Sequence, residues 1–141
     1  MLEHLSDKKS KTISVLILSP TRELADQTNQ TIKDLGKWTK TSSIPLYGGV
    51  SKKAQDKKIN KGVDVVVACP GRLLDHIREE TISLKNVDLL IVDEADTMFD
   101  MGFLPDIKQI LTHLPDFRQT LFFAATMPSE IKSLTSKILK K

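Results

Sequence analysis

Leu89-Leu90-Ile91-Val92-Asp93-Glu94-Ala95-Asp96 joins an apolar run to a cluster of acids. Across residues 87–92 the only polar residue is Asp88, and the run stops at three acids within four residues. A short, branched apolar run that ends in charge predicts a buried parallel strand. Ligands of open α/β sheets sit beyond the carboxyl ends of such strands, so Asp93 and Glu94 are expected where a ligand would lie. An adjacent Asp-Glu pair suits nucleoside-triphosphate chemistry: one carboxylate holds the water shell of Mg²⁺ and the next orients the attacking water. A bare Asp-Glu pair reads better as the acidic N-cap of the next helix. With the apolar strand before it and Ala95-Asp96 behind it, the catalytic reading takes precedence.

The same alternation extends in both directions. Residues 13–18 (Ile-Ser-Val-Leu-Ile-Leu) form a first predicted strand, ending at Ser19-Pro20-Thr21, where proline stops the ladder and Thr21 can cap a helix. That helix is expected over about 22–35, with Leu24, Thr28, Ile32 and Leu35 at helical spacing and Gly36 as its C′ residue. Residues 44–47 form a second strand that ends at Gly48-Gly49. This pair allows positive φ and close approach to a ligand, and equally suits a plain turn. Ser51 caps a lysine-rich helix to about Asn60, and residues 63–69 (Val-Asp-Val-Val-Val-Ala-Cys) form a third strand before Pro70-Gly71-Arg72. The next helix turns Leu73, Leu74 and Ile77 inward.

Beyond the acidic stretch come a loop with Met98, Phe99, Met101 and Phe103, and a helix over about 104–114. Residues 120–125 form a fifth strand, ending at Thr126-Met127-Pro128. Pro128 suits the first turn of a last helix, whose Ile131, Leu134, Ile138 and Leu139 face inward.

Strands alternating with helices predict an α/β fold: right-handed crossovers and a parallel sheet with helices on both faces. The carboxyl ends of all five strands then share one edge. Arg22, Arg72, Thr21, the glycine-flanked backbone and two helix N-termini make an anion-binding set there. The carboxylates on the same edge suit a metal-bound triphosphate instead, so two ligands are expected, a long polyanion and a nucleotide.

Composition narrows the class. The chain has 141 residues, enough for one domain with a real core. Hydrophobic content of 40% and charged content of 28% are ordinary for a globular protein. No apolar run approaches the roughly 20 residues of a membrane helix, and the N-terminus lacks the apolar segment of a signal peptide. The single cysteine, Cys69, rules out an internal disulfide and fits a reducing, cytoplasmic setting. His4, His76 and His113 are scattered and read as surface histidines rather than metal ligands. The net charge is +3, with Lys52, Lys53, Lys57, Lys58 and Lys61 crowded together. A solvated helix face is the default reading of that cluster, and phosphate attraction the lesser one.

Five motifs in order, Pro-Thr-Arg-Glu-Leu-Ala (20–25), Gly-Gly (48–49), Pro-Gly-Arg (70–72), Asp-Glu-Ala-Asp (93–96) and Ala-Ala-Thr (124–126), resemble the first RecA-like domain of DEAD-box RNA helicases. The resemblance runs from about Ile13 to Pro128. It implies a P-loop NTPase type of sheet, incomplete at the N-terminus: residues 1–12 as a helix end and loop, and 13–141 as a partial ATP-binding domain. It implies ATP and Mg²⁺ as cofactors, with Asp93 binding Mg²⁺ through water and Glu94 polarising the attacking water. Asp96 would join the Ala-Ala-Thr loop through Thr126. Thr21, Arg22, Gly49, Gly71 and Arg72 would touch the RNA backbone, reading phosphates and 2′-hydroxyls rather than bases.

The sequence departs from the family pattern in three places. Ala124 stands for the usual serine of Ser-Ala-Thr, a hydroxyl worth on the order of 1 kcal/mol. Cys69 stands for the usual threonine before Pro-Gly-Arg, and a buried, inert thiol is expected there. No Gly-x-x-x-x-Gly-Lys-Ser/Thr segment occurs in the 141 residues. The expectation is therefore an internal fragment of a helicase, or a start codon placed too late, whose parent supplies the phosphate loop and a second RecA-like domain. Taken alone it should lack ATPase and unwinding activity, and the alternative reading is an RNA-binding module without ATPase. Without a phosphate-loop strand, residues 120–125 should be an exposed apolar edge prone to self-association.

Overall fold

In a computed structural model, Met1 and residues 12–139 are described. The expectations for residues 2–11, including the helix end, lie outside them. Five strands, β1 (Val15–Leu18), β2 (Ser43–Leu46), β3 (Val65–Ala68), β4 (Leu89–Val92) and β5 (Gln119–Phe122), form one sheet in the order β2-β3-β1-β4-β5. Every pairing is parallel. The α/β architecture expected from the alternation is therefore present. Among the described residues there are six helices, α1 (Arg22–Leu35), α2 (Lys52–Asn60), α3 (Pro70–Arg78), α4 (Ala95–Asp100), α5 (Leu104–Leu111) and α6 (Ser129–Ile138).

The apolar runs explain the layers. Successive side chains of a strand point to opposite faces. In β1, Leu16 and Leu18 join one core with Val66, Leu90, Leu73, Met98, Ile110 and Leu134, from α3, α4, α5 and α6 among other elements. Val15 and Ile17 join a second core with Val65, Val67, Leu89 and the α1 residues Ala25 and Ile32. All four residues of β1 and of β3 are buried, as central strands covered on both faces require.

The helix starts follow their caps. Thr21 Oγ1 accepts from Leu24 N–H at 3.2 Å, and Ser51 Oγ accepts from Ala54 N–H at 3.4 Å. Pro70 opens α3 where its lack of an N–H costs nothing.

Four local expectations are corrected. The inward stripe of α1 is Ala25, Asn29 and Ile32, while Leu35 is exposed, because the helix is turned by about one residue from the stripe of larger side chains. Gly36 ends α1 at φ −86°, so it is not a left-handed C′ glycine. Met98 and Phe99 lie on α4 rather than in a loop, with Met98 fully buried. His76 is fully buried, not a surface residue: α3 points it toward α2, where polar partners await it.

The last strand is the least covered. β5 pairs with β4 alone among the described residues, its own residues are only partly buried, and the following Phe123 is 53% exposed.

Candidate active site and nucleic-acid edge

The strand ends fall into two groups along the sheet order β2-β3-β1-β4-β5, with β1 and β4 meeting at the boundary. β1, β2 and β3 lead into Thr21-Arg22, Gly48-Gly49 and Gly71-Arg72, and β4 and β5 lead into Asp93-Glu94 and Ala124-Ala125-Thr126.

On the β4–β5 side, parallel pairing continues one residue past the strands: Asp93 N–H donates to the Leu18 carbonyl and Phe123 N–H to that of Val92. The chain then turns sharply. Glu94 adopts φ 48°, ψ 51°, a left-handed conformation that costs a non-glycine residue about 1–2 kcal/mol. Asp93 Oδ1 steadies the turn by accepting from Glu94 N–H at 3.0 Å. Strain of this kind gathers at functional sites. Asp96, in the first turn of α4, accepts at Oδ2 from both the N–H and the hydroxyl of Thr126, each at 3.0 Å.

Asp93, Glu94, Asp96, Thr97, Phe123, Ala124 and Ala125 line an open pocket of about 280 Å³. Ala124 is part of that lining and also packs against the larger core. No cluster of three metal-ligating side chains occurs among the described residues.

On the other side, the Arg22 guanidinium lies 4.9 Å from the centroid of the Tyr47 ring, and Tyr47 donates its hydroxyl to Asp26 at 2.8 Å. Burial first, and then the Asp26 partner, push the Tyr47 pKa up. A Cβ on Gly49 would come within 3.8 Å of Arg22 Nη1, and one on Gly48 within 4.0 Å of Arg72 Nη2, so two guanidinium groups flank the glycine turn. Only Gly49 uses a positive φ, at 78°. Thr21 spends its oxygen lone pair on the α1 cap, which leaves its O–H to donate.

Gly71 is in the first turn of α3, and a Cβ there would meet nothing within 4 Å. Cys69 is the N-cap of α3 and makes no side-chain cap bond. Its thiol is half-buried, and burial pushes its pKa up.

Sequence reasoning passed over Gln55 and His76. Gln55 Oε1 accepts from Arg72 Nη1 at 3.1 Å and lies 3.0 Å from His76 Nε2. A signal was present: Gln55 and Ile59, four residues apart, are the inward positions of an otherwise lysine-rich helix.

An acidic pocket and an arginine-flanked glycine turn thus lie at the carboxyl ends of one parallel sheet in an α/β domain. The chain belongs to the DEAD/DEAH box helicase family, whose profile matches residues 1–134. It is 47% identical, over 133 residues, to the DEAD-box ATP-dependent RNA helicase RhpA of Helicobacter pylori strain B128, covering 94% of this chain and 27% of that protein. It is 40% identical to the DEAD-box ATP-dependent RNA helicase CshA of Bacillus subtilis strain 168, covering 93% and 26%. A hypothetical ATP-dependent RNA helicase from Sulfolobus tokodaii superposes with a TM-score of 0.86 at 40% identity, covering 91% of this chain and 38% of that one. The chain thus spans about a quarter of the length of these curated relatives. No helix among the described residues is long and apolar enough to cross a membrane.

Proposed function

We propose that residues 13–141 are part of the first RecA-like domain of a cytoplasmic ATP-dependent RNA helicase, in which ATP hydrolysis drives local opening of RNA duplexes. The observation that carries this reading is the double hydrogen bond from Thr126 to Asp96 beside the Asp93-Glu94 turn, on the same sheet edge as Arg22 and Arg72.

Bound Mg²⁺ and ATP would supply a polarised γ-phosphate with its charge partly neutralised. The residues of this chain would take the following parts. Asp93 would hold the metal through its water shell. Glu94, fixed by its strained turn, accepts a hydrogen bond from the attacking water. Asp96 and Thr126 hold the two strand-end loops together. Thr21, Arg22, Gly49, Gly71 and Arg72 grip the RNA backbone, which makes binding largely independent of base sequence. The partners are RNA and a second RecA-like domain, whose arginine finger is worth about 10³–10⁵ in rate in related nucleotidases.

The 141 residues contain no phosphate-loop motif, so the chain assayed alone should turn over no ATP even with saturating RNA. Turnover that disappears in Glu94→Gln would overturn this. The alternative is an RNA-binding module without ATPase activity. Both readings expect weak, salt-sensitive binding that prefers RNA to the matching DNA and falls on Arg22→Ala. ATP turnover after fusion to a phosphate-loop segment and a second domain would favour the enzyme. The partly exposed β5 edge also favours self-association, and a monomer boundary persisting at high concentration in sedimentation would exclude it.

A further inference from the structure

Gln55 is buried within a helix whose Lys53, Lys57 and Lys58 are exposed. Its amide joins three segments. Nε2 donates to the Tyr47 carbonyl at 3.1 Å, just before the glycine turn. Oε1 faces Arg72 Nη1 at 3.1 Å and His76 Nε2 at 3.0 Å. A carbonyl only accepts and a guanidinium only donates, so the amide has one allowed orientation. That orientation requires a proton on His76 Nε2.

The other ring nitrogen, Nδ1, lies 2.9 Å from Thr81 Oγ1 and 3.1 Å from Asp56 Oδ1. Burial first, with Lys52 and Arg72 adding to it and Asp56 opposing, holds the His76 pKa below its usual value. In the neutral ring Nδ1 carries no proton, and the single Thr81 hydroxyl proton is shared between Nδ1 at 2.9 Å and the His76 carbonyl at 3.2 Å. Protonation would add an N–H toward Asp56 and leave the Nε2–H unchanged. Gln55 therefore keeps the same orientation in either state of the ring.

The consequence falls on Arg72. Its Nη1 also donates to the Val50 carbonyl at 3.3 Å, so one nitrogen is anchored twice while Nη2 lies beside Gly48. We propose that Gln55, oriented by His76, is a positioning residue that holds Arg72 and the Gly48-Gly49 turn in the geometry that meets an RNA phosphate. The proposal rests on the reading of this edge as RNA-binding. A guanidinium held in place before binding loses less conformational freedom when it binds, so Gln55 strengthens RNA binding through Arg72.

The test is a double-mutant cycle in the 141-residue chain, read by fluorescence anisotropy with a labelled oligouridylate at several salt concentrations. Arg72→Ala should weaken binding and lower the salt slope by about one. Gln55→Ala should weaken binding by about two- to tenfold. In the Arg72→Ala background it should change binding by less than about twofold. An equal loss in both backgrounds would overturn the proposal. Gln55→Glu keeps the acceptor for Arg72 and loses the donor to Tyr47, so it should lower the melting temperature yet recover most of the affinity. Affinity as poor as that of Gln55→Ala would also overturn it, and this arm covers the case in which Gln55→Ala fails to fold. The Nη–H resonances of Arg72 without RNA separate the two ideas. If they are sharp in the wild type and Arg72→Ala still binds RNA normally, the role of Arg72 in RNA binding falls and the proposal falls with it. If Arg22→Ala also binds normally, the RNA reading of the whole edge falls.

Discussion

Asp96 Oδ2 accepts two hydrogen bonds from Thr126, one from its backbone N–H and one from its hydroxyl, both at 3.0 Å. The pair ties the turn after β4 to the turn after β5, thirty residues apart. Desolvation works against the ionised Asp96 carboxyl, yet the two Thr126 bonds prevail and hold its pKa below the usual value. A carboxyl depressed in this way stabilises the closed loops above its unfolded pKa of about 3.9, and that contribution is lost as pH falls through the depressed value. The Thr126 amide resonance, followed against pH, should therefore titrate below about 3.9. Thr126→Val removes the hydroxyl and keeps the N–H, so the midpoint should rise only part of the way. An unchanged midpoint in Thr126→Val would assign the depression to another group.

The glycines separate backbone need from ligand need. Gly49 has φ 78°, so Gly49→Ala should destabilise the fold by about 1 kcal/mol through strain alone. Gly71 has an ordinary φ and open space where a Cβ would go. Gly71→Ala should leave stability unchanged or raise it by up to about 1 kcal/mol, since alanine suits a helix better. If RNA lies against that backbone, Gly71→Ala should still weaken RNA binding. Affinity equal to the wild type would remove Gly71 from the RNA contact set.

The sequence shows its fold most clearly where burial is complete. Val65-Val66-Val67 and Leu89-Leu90 leave no choice but covered central strands, and Thr21, Ser51 and Pro70 mark the helix starts they occupy. The spacing of Leu24 and Thr28 in α1 misleads, because Ala25 and Asn29 are the residues that face the sheet. His76 shows the same limit for polar groups. Its burial depends on Gln55 and Thr81, twenty-one and five residues away, and no local pattern announces such partners. The acidic group could be read from adjacent residues. Which strand ends lie side by side could not, because the sheet order β2-β3-β1-β4-β5 departs from chain order and sets β1 beside β4.

Cys69 occupies the N-cap of α3 without a cap bond. Threonine would place an oxygen where the orphan N–H groups of the first turn can donate to it, and caps of this kind are worth about 1 kcal/mol. Cys69→Thr should raise the urea midpoint accordingly, with the slope of the transition unchanged. The site is only half-buried, so the added methyl has room. A lower midpoint would mean that thiol packing outweighs the cap.

His76 gives the fold a pH dependence of definite sign. Its folded pKa lies below the usual value, mainly because the ring is buried, with Lys52 and Arg72 adding to the effect and Asp56 opposing it. Between that depressed value and about 6.5 the unfolded chain binds a proton that the folded chain does not. Stability should therefore be full above about 6.5 and decline as pH falls toward the folded value. Denaturant midpoints across this range should show the decline in the wild type and a flatter profile in His76→Gln, whose amide does not titrate. The His76→Gln variant will be less stable throughout if its shorter reach misses Gln55, so the slope and not the height of the profile is the informative quantity. RNA affinity should not follow the same profile, because His76 keeps its Nε2–H toward Gln55 in both protonation states. If affinity and stability decline together while the chain remains folded, protonation must disturb the Gln55–Arg72 contact, and Nε2 cannot be the nitrogen that carries the proton in the neutral ring.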